Sequence, residues 1–260
     1  MIVYYENSNG EKINLLQSPY RVIEADWYDS DWEEKTDGYE KEVELDVFGS
    51  KVDFVSNMER LYKVFAVDSE LGVCGKLYVN GSYIRCNVLQ SKKDDWKGYV
   101  FATVELVFIA PKLEWIQEVK KSFYPHAKEN VAIGLNYPFN YPYNYTAENR
   151  DVVNFEIDHI TANDFRMIVY GPCVNPCVFI NGCPYEVYAS LDKYEYLVID
   201  SEEYTITKYQ SNGTTANLFD NRGHEYSVFE KIPSGYVNFN WSGDFGFDLL
   251  LYLKRKEAKW

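Results

Sequence analysis

Apolar and polar positions alternate along most of this chain with the period of two that marks half-buried strands, and Gly, Asn and Pro interrupt the alternation at short intervals. Ile2 to Tyr5 and Lys12 to Leu16 flank Asn7-Ser8-Asn9-Gly10, which predicts a hairpin. Lys76 to Val79 and Ser82 to Leu89 flank Asn80-Gly81, the pair a type I′ turn demands because both of its central residues take positive φ. A further strand is expected from Tyr99 to Ile109, ended by Pro111. The period changes to helical where Met58, Leu61, Tyr62 and Phe65 recur. Ser56 can cap there, Glu59 completes a capping box and Gly72 stops the run, so a helix is predicted from Ser56 toward Gly72. Lys112 to Phe123 fits either period and is treated as connector.

Residues Tyr137 to Tyr145 read Tyr-Pro-Phe-Asn-Tyr-Pro-Tyr-Asn-Tyr. Proline fixes φ, lacks a donor and pushes the preceding residue toward extended geometry, so Pro138 and Pro142 predict a stiff crossing with rings to dock on a neighbour. Beyond it come short strands near Val152 to Ile157, Phe165 to Tyr170, Cys177 to Ile180, Tyr185 to Tyr188, Tyr194 to Ile199, Tyr204 to Lys208, Tyr236 to Trp241 and Phe247 to Leu253. Turn signals such as Gly171-Pro172, Asn181-Gly182 and Ser242-Gly243 separate many of them, a pattern that points to a β-sandwich or jelly roll. The expected organisation is a domain over 1–111 with a sheet and one helix, a connector over 112–150, and an all-β domain over 151–260.

Composition supports a mostly β fold, with aromatics at 17% and 24 tyrosines favouring pleated, half-buried surfaces over helix bundles. The formal net charge of −14 argues against a nucleic-acid reader, since such binding rests on Lys and Arg neutralising phosphates. It would suit a surface past which nucleic acid slides without sticking. No apolar run reaches membrane-spanning length, and Met1 to Gly10 does not resemble a signal peptide, so the expectation is synthesis and retention in a cytoplasm with no membrane partner. There the five cysteines are expected to be reduced. Charge is densest from Glu24 to Asp46, around Trp27, Tyr28 and Trp32. That segment is expected to form a long projecting loop before a strand near Val43 to Phe48, because so much like charge cannot be buried.

Candidate chemistry is sparse. Cys173, Cys177 and Cys183 lack the fourth ligand that a closed zinc site needs, and are read as small apolar residues at turns. The carboxylates around Trp27 could include a pair for glycoside hydrolysis, but a solvated loop or protomer-contact arm, with Trp27, Tyr28 and Trp32 as anchors, is the stronger reading. His126, His159 and His224 accompany no nucleophile elbow, and no phosphate-binding loop occurs. No catalytic, cofactor-binding or metal-binding residue is assigned, and the chain is read as not an enzyme. Trp241 is the best single candidate for stacking on a glycan, although its place in an alternating strand favours the core.

Several stretches in order resemble the distal tail (Dit-like, phage tail family) proteins of siphoviruses and prophages. They are Tyr4 to Ile13, the helix region from Ser56 to Ser69, Gly75 to Cys86, Ile109-Ala110-Pro111, the aromatic-proline segment and Phe165 to Pro176. Leu197 to Asp200, Asn217-Leu218-Phe219, Phe229 to Gly235 and Lys256 to Trp260 continue the succession. The resemblance covers nearly the whole chain and rests on collinearity. It implies an N-terminal tail-tube-like β-barrel or split sandwich with one helix, and a C-terminal galectin-like or jelly-roll β-sandwich. It also implies a virion structural protein at the tail tip: a ring of copies of itself, commonly a hexamer, joining the tail tube protein to the baseplate hub (tail-associated protein) and receptor-binding protein, with no catalytic residue. The alternative is a carbohydrate-binding β-sandwich for host-wall glycan, and behind it a glycan hydrolase.

Overall fold

The computed structural model of the chain describes residues 1–23, 25–28, 31–125 and 151–260. The aromatic-proline segment at Tyr137 to Tyr145 lies outside the described residues, as do His126, Glu24, Asp29 and Ser30. Two compact units emerge, one made of Met1–Gln117 with Lys254–Trp260 and the other of Glu118–Leu253. The chain passes from the first to the second within the strand Trp115–Phe123 and returns within Phe247–Arg255. Lys112 to Phe123, open between helix and strand in the sequence, is thus a strand over most of its length. Trp115 and Ile116 are buried in succession, which breaks the alternation that would have identified it.

In the first unit Val3–Glu6 lies between Lys12–Asn14 and Gly75–Val79, all antiparallel. Gly75–Val79 continues through Asn80 (φ 46°) and Gly81 (φ 83°) into Ser82–Lys97, so the Asn-Gly pair makes the hairpin that it predicts. Ser82–Lys97 then changes neighbours. Its first residues pair with Gly75–Val79 and Trp115–Phe123, whereas from Asn87 onward it pairs with Phe101–Ala110, with a register shift between Val88 and Gln90. Phe101–Ala110 pairs along its length with Gly38–Phe48, whose other edge carries Tyr20–Val22 and Glu33–Lys35. One strand shared between two sheets closes them over a common core of Tyr5, Leu15, Leu45, Leu77, Phe108 and Trp115.

The helix spans Lys51–Leu71, five residues earlier than Ser56 implied. Ser50 is the N-cap and accepts from the Asp53 backbone N–H at 3.4 Å, so Ser50-x-x-Asp53 does what Ser56-x-x-Glu59 seemed placed to do. Gly72 ends the helix in the left-handed region at φ 65°, as expected. The buried stripe is Phe54, Leu61, Val64 and Phe65, each apolar side chain contributing about 1.5–3 kcal/mol by burial. Tyr62, expected on that face, is exposed. In the last turn Asp68 is fully buried and accepts from the Tyr5 hydroxyl and from the Ser8 backbone N–H. Burial and then the Asp68 hydrogen bond push the Tyr5 phenol far above its ordinary range.

The second unit is a two-layer sandwich. One sheet runs Thr215–Asn217, Thr205–Tyr209, Tyr196–Asp200, Asp164–Tyr170 and Phe247–Arg255, with Trp115–Phe123 beside the last. The other runs Asp151–Ile157, Gly235–Trp241, Cys177–Ile180 and Cys183–Glu186. Inward aromatics join the layers: Phe123 stacks on Phe247 at 4.3 Å and lies 5.2 Å from Phe239. The eight strands expected here all exist, with ends shifted by a residue or two, and Gly182, Gly213, Gly235 and Gly243 hold positive φ at turns.

Candidate functional site

The acidic segment folds differently from the expected projecting loop. Gly38–Phe48 begins well before Val43, and its even-odd pattern buries Lys41, Val43, Leu45 and Val47 while Glu42 and Glu44 face outward. Glu33–Lys35 turns back on it, which sets Glu33 directly opposite Glu40. Gly38 sits at φ 145°, where a Cβ would lie 2.5 Å from the Ala110 carbonyl oxygen, so the tight approach requires glycine. Trp27 and Trp32 are buried in the first unit's own core, and Tyr28 stacks on Trp260 at 4.1 Å with its hydroxyl accepting from Asn80. Asp26, Asp31, Glu33, Glu40 and Glu42 line a hollow of about 530 Å³ together with Ala25 and Lys41. Lys41 Nζ donates to the Asp26 carbonyl and to Asp31 Oδ1, both at 2.8 Å. Lys35 pairs with Glu33 at 2.6 Å, and five carboxylates against these two ammonium groups leave the face net negative.

The second feature is the far half of Ser82–Lys97. From Leu89 to Lys97 every residue is exposed, although the strand opposite alternates buried and half-buried positions. Among the described residues Gln90 to Lys97 has a strand partner on one side only, so its outer backbone groups form an open edge. The edge carries Lys92, Lys93 and Lys97. Lys92 donates to both Glu105 oxygens, at 2.9 and 3.2 Å, and that hydrogen bond raises its pKa. Lys97 pairs with Asp95 at 3.1 Å. Leu89, Trp96, Tyr99 and Val100 add exposed apolar surface. Trp96 packs edge-on against Phe54 at 5.7 Å, beside the exposed Val52 and Val55 in the helix's first turns. An open strand edge flanked by exposed aromatics is the surface type that accepts another β-strand by backbone pairing.

In the second unit Trp241 is only 2% exposed. Its indole N–H donates to the Phe245 carbonyl at 3.1 Å and its ring packs against Phe123 and Phe247, so it is a core residue and offers no face to a sugar. Cys173, Cys177 and Cys183 are free thiols, and burial pushes the first two up to about 11. Among the described residues no group of three or more His, Cys, Asp or Glu side chains gathers to hold a metal ion. His159 turns to Thr161 in its own loop. No helix of the described residues is long and apolar enough to cross a membrane. The open edge at Gln90 to Lys97 escaped sequence reasoning, because Ser91-Lys92-Lys93-Asp94-Asp95 has no apolar alternation to mark a strand.

No protein-family model matches the chain, and neither does any curated protein sequence. Solved structures do match. Chains from the phage p2 baseplate in its activated conformation align with TM-scores of 0.58 (with calcium) and 0.59 (with strontium) at 11% identity. They cover 98% of this chain and 99% and 98% of those chains. The Dit protein gp 19.1 of phage SPP1, a hub of the adsorption apparatus in phages infecting Gram-positive bacteria, aligns with TM-score 0.51 at 12% identity over 98% of both chains. Over nearly its whole length, then, this mostly β chain has the fold of the phage baseplate and Dit hub proteins.

Proposed function

We propose that this chain is a non-enzymatic structural protein of a siphovirus or prophage tail tip, a distal tail protein whose copies close into a ring, commonly of six. The ring would join the tail tube to the baseplate hub and to receptor-binding proteins. The fold likeness supports the tail-tip role, and the observation that carries ring assembly is the open edge from Gln90 to Lys97 with its exposed aromatics. A closed ring built by a repeated head-to-tail contact needs two different surfaces on each copy. The first unit has such a pair: a lysine-bearing strand edge and a carboxylate-lined hollow. The segment around Trp27, Tyr28 and Trp32 would then act as a protomer-contact arm through its outward carboxylates and the Tyr28–Trp260 stack, since both of its indoles are committed to the core. A net charge of −14 would favour a lumen that repels DNA phosphates.

Solution mass tests this reading. Six copies of a 30.4 kDa chain give about 182 kDa, measurable by light scattering or native mass spectrometry, alone and with tail tube protein added. Lys93→Glu on the edge and Leu89→Glu at the exposed bulge just before it should lower the assembled fraction and leave thermal unfolding of the monomer unchanged. A chain that stays monomeric at high concentration even with tube protein would overturn ring assembly, and unaltered rings in both variants would overturn the part given to the open edge.

A further inference from the structure

Asparagine followed by glycine occurs four times, at Asn9-Gly10, Asn80-Gly81, Asn181-Gly182 and Asn212-Gly213. Each is a turn, and each glycine takes the positive φ that the turn demands. The same dipeptide has a chemistry of its own. With no Cβ on the following residue to obstruct the approach, the glycine backbone nitrogen can reach the asparagine side-chain carbon Cγ. The attack needs a carboxamide able to swing over that nitrogen, so hydrogen bonds that fix the carboxamide suppress it.

The fold fixes three of the four carboxamides. Asn80 is held at both ends, its Oδ1 accepting from the Ile2 backbone N–H at 3.1 Å and its Nδ2 donating to the Tyr28 hydroxyl at 2.7 Å. Asn212 Oδ1 accepts from the Thr214 backbone N–H at 2.9 Å and from its hydroxyl at 2.7 Å. Asn181 is tied twice to Asn238: Oδ1 accepts from the Asn238 N–H at 2.8 Å, and the Asn181 N–H donates to the Asn238 carbonyl at 2.9 Å. Asn9 differs. It is exposed, and its carboxamide makes no hydrogen bond among the described residues. A Cβ placed on Gly10 would meet nothing nearer than Glu6 Oε1 at 4.0 Å, so the approach is open. The Gly10 N–H donates to the Asn7 carbonyl at 2.9 Å and the Gly213 N–H to the Gln210 carbonyl at 3.0 Å. The nucleophile is thus held alike in these two turns, and the carboxamide separates them.

We propose that Asn9 is a self-modifying site, at which the folded chain converts asparagine to aspartate and isoaspartate with water as the sole co-reactant. The Gly10 nitrogen gives up its proton to solvent and bonds to Asn9 Cγ, the Cγ–Nδ2 bond breaks, and Nδ2 leaves as ammonia with a proton from water. Water then opens the cyclic succinimide. Cleavage of the new N–Cγ bond leaves aspartate, whereas cleavage at the original peptide carbonyl leaves isoaspartate, its main chain rerouted through the side chain and lengthened by Cβ. The turn is bonded to the helix, so the change is felt there. Asn7 Oδ1 accepts from the Asn9 and Glu11 N–H groups at 3.1 and 2.9 Å, Asn7 Nδ2 donates to the Val64 carbonyl at 3.2 Å, and the Ser8 N–H reaches Asp68 at 2.8 Å. A longer main chain between residues 9 and 10 disturbs these bonds, and either product adds a carboxylate to a turn already flanked by Glu6 and Glu11. The site is independent of ring assembly, which was assigned to other residues.

The test ages the full-length chain at mildly alkaline pH and follows all four sites by peptide mapping and mass spectrometry. The same chain unfolded in guanidinium is the reference, because there the four share one local chemistry. In the folded chain Asn9 should convert first, about tenfold or more ahead of Asn80, whose two side-chain hydrogen bonds must break. In the unfolded chain the four rates should draw together. Tyr28→Phe removes the acceptor of Asn80 Nδ2 and keeps the ring stacked on Trp260, so it should speed Asn80 and leave Asn9 unchanged. Ageing should lower the first unit's melting temperature in the wild type and not in Asn9→Gln, whose longer side chain closes the ring far more slowly. Asn9→Asp, which adds the charge without lengthening the main chain, should lower it less than ageing does. Conversion at Asn80, Asn181 or Asn212 level with or ahead of Asn9 in the folded chain would overturn the proposal. So would an intact Asn9 after the unfolded chain has converted at all four sites, or an Asn80 rate indifferent to Tyr28→Phe.

Discussion

Removing one oxygen, in Tyr5→Phe, tests the account of how the helix is tied to the sheet. The Tyr5 hydroxyl is a donor to Asp68, whose side chain is fully buried and otherwise accepts from the Ser8 backbone N–H. Phenylalanine keeps the ring contacts with Phe65 at 5.0 Å and Phe108 at 6.1 Å, so no cavity opens and the loss isolates the hydrogen bond. A bond to a charged, buried acceptor is worth about 1.5–3 kcal/mol, and the orphaned carboxylate oxygen places this case toward the upper end. At roughly 2–4 °C per kcal/mol for a chain of this size, the first unit's transition should fall by about 5–10 °C. Urea unfolding with calorimetry measures it, and a double-mutant cycle with Asp68→Asn should show coupling well above 0.5 kcal/mol, about the additivity error. The pH dependence gives a second check. Because the folded-state phenol pKa is raised, its contribution is complete below the ordinary tyrosine value of about 10 and is lost as pH rises beyond it. The gap between wild type and Tyr5→Phe should therefore narrow at high pH. A loss below about 0.5 kcal/mol at neutral pH, or a gap that widens above pH 10, would refute the reasoning.

Two further outcomes follow from geometry. Asp248 accepts from the Tyr170 hydroxyl at 2.9 Å and pairs with Lys120 Nζ at 2.7 Å, so Asp248→Asn should lower the second unit's melting temperature at pH 7, with the difference shrinking as pH falls below the ordinary aspartate value of about 4. A depressed carboxyl pKa contributes stability above its unfolded value and loses it on acidification, and a melting series from pH 2 to 7 reads this out. Gly38→Ala should cost about 1–3 kcal/mol in chemical denaturation, since alanine there meets both an unfavourable φ of 145° and the Ala110 carbonyl.

Local signals reached as far as local physics did. Asn80-Gly81, Gly72 and the second unit's strands were legible because turn geometry and strand period are set by neighbours in sequence. The helix start was misplaced because Ser56-x-x-Glu59 and Ser50-x-x-Asp53 are the same motif. Only tertiary packing of Phe54 selects the earlier one. The acidic segment misled for a related reason. Its carboxylates do face solvent, but the alternation that places them there also turns Val43, Leu45 and Val47 inward and lets Trp27 and Trp32 fill the core. The open edge was illegible, since it depends on which strands end up side by side.

The first unit is discontinuous, and that has a consequence for synthesis. Ala258, fully buried in that unit's core, and Lys259, whose backbone N–H reaches the Ser82 hydroxyl at 3.1 Å, lie downstream of the entire second unit. A ribosome delivers Met1 to Gln117 early but withholds the closing strap until residues 118–253 have been made. The open edge therefore belongs, for most of translation, to an unfinished unit. Chain order alone thus makes completion of the first unit's core wait on synthesis of the second.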